Sequence, residues 1–121
     1  GPVGLLTNGP ERRQRAKVDA LGLGDRVDAI VYAGDLPRRK PHAEPFDRLA
    51  TALSVAPEKT LYVGNSLAYD VAGAHNAGLQ SAWLRADPDE AAAPYDPDHV
   101  VDSLDGVTAL LAARRDAERD A

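Results

Sequence analysis

A chain of 121 residues with 44% hydrophobic side chains suffices for one small domain with a core and argues against wholesale disorder. Nineteen acidic against fourteen basic side chains leave a formal net charge of −5, which argues against the basic face of a general nucleic-acid binder. Without cysteine, disulfides, thiolate metal sites and a cysteine nucleophile are excluded, and no apolar run approaches the roughly 20 residues of a membrane helix.

Short apolar runs alternate with helical patterns from the start. Val3-Gly4-Leu5-Leu6 reads as a buried strand that stops at Thr7-Asn8-Gly9-Pro10. From Pro10 to about Leu21 the chain is rich in helix formers, with Gly22 as the stop. Ala29 to Ala33 is a second strand, ended by Gly34-Asp35-Leu36-Pro37. The clearest helix follows, because Phe46, Leu49, Ala50 and Leu53 share one face. Leu61-Tyr62-Val63 is a third strand, broken by Gly64-Asn65-Ser66, and Asp70 to Ala77 reads as a short helix closed by Gly78. Ser81 to Leu84 is a fourth strand. Arg85 to His99, with three prolines, reads as a loop, and Val100-Val101 as a short edge strand. Ser103 is placed to cap a last helix carrying Leu104, Val107, Leu110 and Leu111, with a charged tail expected to fray from Arg114.

Strands alternating with helices imply right-handed crossovers and a parallel sheet, which collects its ligands beyond the carboxyl ends of the strands. Three loops occupy such positions. Thr7 and Asn8 offer a hydroxyl and backbone N–H groups next to a helix start, which suits an anion; the same residues also favour ordinary turns. Lys40, in Arg38-Arg39-Lys40-Pro41, places a positive charge at the rim of the sheet, where it suits a phosphate or the carboxylate beside one. Gly64 to Asp70 has an oxygen ligand at each end, Asn65 and Asp70, the donor type a hard cation such as Mg²⁺ takes; turn and cap roles would serve these residues equally. His42, His75 and His99 lack metal-ligand spacing and read as surface or cap residues. Trp83 reads as core.

Taken together, the three segments resemble the haloacid dehalogenase superfamily over roughly residues 3 to 84, in the manner of its phosphoglycolate-phosphatase-like members. Val3 to Gly9 looks like the second family motif, Arg39-Lys40-Pro41 with Phe46 like the third, and Leu61 to Asp70 running on to Leu79 like the fourth. The resemblance implies a three-layer, Rossmann-like parallel α/β core and a magnesium-dependent phosphatase that acts on a small phosphate ester through an aspartyl-phosphate. It implies that Thr7 and the backbone at Asn8 hold the phosphoryl group, that Lys40 balances the charge of phosphate and nucleophile, and that Asn65 and Asp70 bind the metal.

Two departures stand out. Asn65 occupies a position usually held by Asp, and it brings no charge. The first motif, Asp-x-Asp-x-Thr/Val on a strand end, is missing: Asp87-Pro88-Asp89 and Asp96-Pro97-Asp98 are loop acids. There is no methionine, and the chain opens on Gly1-Pro2. The expectation is therefore a single core-domain fragment, residues 1–121, inactive alone, with the first strand, its nucleophile and the cap upstream. A soluble, cytoplasmic location is the default, with no membrane or nucleic-acid partner; the oligomeric state is left open. The alternatives are a metal-free 2-haloacid dehalogenase and a non-catalytic binding module derived from the same fold.

Overall fold

The computed structural model describes residues 4–7, 10–20 and 29–120. Its strands are short and rich in β-branched and aromatic residues, and every pairing is parallel. Strand β1 (Gly4–Thr7) pairs with β2 (Ala29–Tyr32) in a register running from Gly4 opposite Ala29 to Thr7 opposite Tyr32. Strands β3 (Leu61–Gly64), β4 (Gln80–Leu84) and β5 (His99–Val101) form a second sheet in that order. The expected parallel sheet is thus present in two pieces, which share no ladder among the described residues.

Among the described residues four α-helices accompany the strands: α1 (Glu11–Ala20), α2 (Ala43–Leu53), α3 (Ala72–Asn76) and α4 (Leu104–Asp120). Leu21 and Gly22, the expected close of the first, lie outside the described residues. Helix α2 begins where the His42 ring accepts the Glu44 N–H, and Glu44 complements the dipole in the first turn. It ends at Ser54, which takes the left-handed conformation at φ 57° while Val55 N–H returns to the Ala50 carbonyl. Helix α4 starts at the expected cap, where Ser103 Oγ accepts Gly106 N–H at 3.1 Å. It runs on to Asp120, beyond the point where fraying was expected; Ala, Arg and Glu in that stretch are good helix formers despite their charge. No helix among the described residues is long and apolar enough to cross a membrane.

The core joins the two sheets through α2. Leu6, Ala33, Phe46, Leu49, Ala74 and Leu79 are buried together, with Leu53 and Tyr62 packed against them. Strand β1 passes so close to α2 at Gly4 that a Cβ there would fall 2.6 Å from Leu49 Cδ1. On the other side, Phe46 meets Tyr62 of β3 edge to face, with ring centroids 4.8 Å apart. Helix α3 comes equally near, since a Cβ on Gly73 would lie 2.2 Å from Phe46 Cε2. One aromatic ring therefore sets the spacing of α2, α3 and β3.

The segment between β3 and α3 departs from expectation. In place of a helix starting at Asp70, a π-helical turn spans Leu67–Val71 and leads directly into α3. Ser66, not Asp70, caps it: Ser66 Oγ accepts Tyr69 N–H at 3.1 Å. The Ser66 carbonyl accepts both Asp70 N–H and Val71 N–H, at 2.9 and 3.1 Å. Such wide turns are rare and gather at functional sites. Here the widening brings the Asp70 side chain back over the start of its own loop.

Candidate active site

Asp70 is the centre of this region and only 5% exposed. A carboxylate so buried must be paired and hydrogen-bonded to remain charged. Lys40 Nζ lies 2.8 Å from Oδ1 and supplies the opposite charge. Tyr62 O–H donates to the same oxygen at 3.2 Å, and Ser66 backbone N–H donates to Oδ2 at 3.1 Å. Burial, and then the neighbouring Asp70 charge, push the Tyr62 hydroxyl well above its usual range, so it stays protonated and acts as a fixed donor. Gly64 completes the cradle. A Cβ there would lie 2.4 Å from Asp70 Cβ and Cγ, so only glycine leaves the carboxyl its place.

The lysine is held as firmly as its partner. Its loop leaves β2 through a 3₁₀ turn (Ala33–Asp35) and is closed by His42 N–H donating to the Arg39 carbonyl at 2.9 Å. Asn76 Nδ2, at the end of α3, donates to the Pro41 carbonyl at 2.9 Å. The Arg38 guanidinium pairs with the His42 ring. Lysine loop, β3 and α3 are thereby tied to one another around a single ion pair.

Of the residues singled out in the sequence, the structure brings Lys40 and Asp70 into contact. Asn65 lies one residue past β3, with its side chain exposed, and its backbone carbonyl accepts Trp83 Nε1–H at 3.2 Å. Thr7 ends β1, opposite Tyr32, and only its backbone is described; Asn8 lies outside the described residues. Tyr62 and Asn76 were not singled out. Tyr62 had a signal, since a tyrosine inside a buried strand needs a partner for its hydroxyl. Asn76 had none, because its acceptor is 35 residues away.

Ligand chemistry at this site is that of hard oxygen donors beside a fixed ammonium. No group of three or more His, Asp or Glu side chains able to hold a metal exists among the described residues. Among the described residues Asp70 accepts three donors, which leaves one of its roughly four lone-pair directions, on Oδ2. Asn65 adds one exposed amide oxygen. Two protein oxygens fit an ion that keeps most of its waters and shares a phosphate, as Mg²⁺ does, and not one caged by protein alone.

A second polar cluster lies outside this site. Ser81 N–H donates to Asp98 Oδ2 at 2.8 Å, Asp98 N–H donates to Ser81 Oγ at 3.2 Å, and His75 Nε2 lies 2.8 Å from that hydroxyl. Asp98 is therefore more than a loop acid: it fastens the proline-rich segment to β4. The Ser81 N–H, joined by His75, holds the Asp98 carboxyl below its ordinary range against the opposing effect of partial burial. A lowered folded-state pKa contributes stability above the unfolded value, near 3.9, that is lost as pH falls through the folded one. Asp98→Asn is expected to lower stability most near pH 7 and to flatten the acid limb, so that variant and parent converge as pH falls below about 4. Urea melts at a series of pH values measure this.

The comparisons with known proteins agree with this architecture. The family model for haloacid dehalogenase-like hydrolases matches residues 2–78. The chain belongs to that family. It is 32% identical over 111 residues to the phosphoglycolate phosphatase of Nitrosococcus oceani, covering 90% of this chain and 49% of that protein. It is 37% identical over 81 residues to the N-acylneuraminate-9-phosphatase of Rattus norvegicus, covering 66% of this chain and 33% of that one. Among solved structures, a haloacid dehalogenase-type phosphatase from Thermococcus onnurineus superposes with a TM-score of 0.79 at 30% identity, over 89% of this chain and 49% of the other. A 2-haloacid dehalogenase from Pseudomonas syringae gives 0.78 at 30% identity, over 91% and 46%. The chain thus spans between a third and a half of the length of these relatives.

Proposed function

We propose that this chain forms part of a magnesium-dependent phosphatase acting on a small phosphate ester through an aspartyl-phosphate, the attacking carboxylate coming from outside these residues. The observation that carries the reading is the buried Lys40–Asp70 pair, 2.8 Å across, which fixes an ammonium beside the end of β3. In phosphoryl transfer little covalent work falls to the protein, and positioned charge supplies most of the acceleration. Lys40 offsets the negative charge of phosphate and attacking carboxylate; Asp70, with Tyr62 and Ser66, keeps that ammonium in place. Thr7 and the backbone at Asn8 hold the phosphoryl oxygens. Asn65 and the free direction of Asp70 Oδ2 would hold Mg²⁺, which, when bound, neutralises charge on the transferring phosphoryl group. The split sheet supports an additional strand: a parallel segment lying between β1 and β3 would join the two ladders and bring its own strand end to the same rim.

The test is hydrolysis of a panel of phosphate monoesters by the full-length gene product, with Mg²⁺ and with EDTA. Mg²⁺-dependent phosphate release is expected, and its absence across the panel overturns the proposal. A metal-independent 2-haloacid dehalogenase is the second reading, favoured by the uncharged Asn65. It requires halide release from a 2-haloacid in EDTA.

A further inference from the structure

We infer that Trp83 is a positioning residue for the candidate cation loop, acting through the hydrogen bond from its indole N–H to the Asn65 carbonyl; the inference rests on the reading of Asn65 as a cation ligand. Trp83 is fully buried in β4, the central strand of its sheet, in register with Gly64. A buried indole N–H needs an acceptor. This one reaches one residue beyond its strand partner and takes the Asn65 carbonyl at 3.2 Å. The bond pins the peptide between Asn65 and Ser66. On the far side of that peptide, Ser66 N–H is held by Asp70 Oδ2 at 3.1 Å. Both polar atoms of one peptide unit are thereby fixed, one by the core and one by the buried carboxylate.

This matters more for Asn than it would for Asp. An amide oxygen attracts a cation by its dipole alone, so its contribution depends on being aimed in advance. The support is itself braced. The Arg85 guanidinium lies over the Trp83 ring, 5.9 Å from its centroid, and is held by both oxygens of Asp102 at 2.8 and 3.3 Å. Asp102 directly follows β5, so an exposed ion pair at that end of the sheet is linked through the indole to the cation loop.

The test uses the intact protein with Trp83 replaced by β-(3-benzothienyl)alanine, in which sulfur stands in for the N–H and the ring shape is kept, and with Trp83→Phe alongside. Mg²⁺ binding is followed at the Ser66 and Asp70 amides by NMR. In the unaltered protein, Mg²⁺ is expected to shift the Trp83 indole resonance together with those amides. The isostere is expected to bind Mg²⁺ about tenfold more weakly, the loss usual for a partner that orients a ligand. Equal affinity in the isostere with an indole resonance indifferent to Mg²⁺ overturns the inference, because a ring that merely fills the core predicts that result. Should Mg²⁺ move neither amide in the unaltered protein, the cation reading fails, and amide exchange decides the positioning claim separately. Exchange at Ser66 and Tyr69 roughly fivefold faster in the isostere supports it, and unchanged exchange refutes it.

Discussion

Lys40→Met is expected to lower phosphatase turnover of the full-length enzyme by roughly 10²- to 10³-fold, the scale of losing one preorganised charge at a reacting phosphate. Methionine keeps the apolar stem and removes only the ammonium, so the loss should fall mainly on kcat. Stability should drop as well. Asp70 is left buried without a counter-charge, yet it still accepts Tyr62 O–H and Ser66 N–H. The expected cost is therefore about 2 kcal/mol, less than the roughly 3–5 kcal/mol of an ion pair broken with nothing left to replace it. Lys40→Arg should not restore activity, because a planar fork cannot occupy the position of a compact ammonium. Steady-state kinetics and urea melts measure both effects. Turnover within a factor of three of the parent in Lys40→Met would remove Lys40 from the machinery.

Gly64→Ala tests the same cradle from its floor. The added Cβ would sit 2.4 Å from Asp70 Cβ and Cγ and 2.6 Å from Oδ2, well inside contact distance. Gly64 ends a strand and is not among the positive-φ positions, so the conflict is with the side chain opposite and not with the backbone. Either the carboxyl leaves, breaking its contacts to Lys40, Tyr62 and Ser66, or β3 shifts away from the π-helical turn. Both outcomes cost about 2–4 kcal/mol, combining an overpacking term with lost hydrogen bonds. Turnover should fall about as far as in Lys40→Met, because the ammonium loses its anchor. Thermal melting together with kinetics distinguishes this from Gly106→Ala: there the nearest atom is Val101 Cβ at 3.2 Å, and only a small adjustment is needed.

Much of the fold could be read along the chain because hydrophobic period and breakers coincide. Phe46, Leu49 and Ala50 are buried on the face their spacing dictates, and Ser103 caps where its type and position indicate. What the sequence did not disclose depends on contacts between distant residues. The wide turn at Leu67–Val71 has no propensity signature; it persists because Asp70 is drawn back to Ser66 N–H and Lys40. That the described strands pair as two separate ladders is a property of sheet order, which apolar runs do not encode. Lys40, Asn65 and Asp70 could be picked out as strand-end groups, yet the residues that hold them, Tyr62, Asn76 and Trp83, looked like ordinary packing or surface positions. Each acts through one hydrogen bond to a residue that the local pattern does not name, although a tyrosine in a buried strand signals that Tyr62 needs a partner of some kind.

The interruption in the sheet gives the ion pair a mechanical meaning. Lys40 follows β2 in the chain and Asp70 follows β3, so their bond is a staple between two sheets that share no ladder among the described residues. Helix α2, packed on both sheets, is another tie between them. Loss of either partner would therefore remove a link between the sheets as well as a charge at the rim.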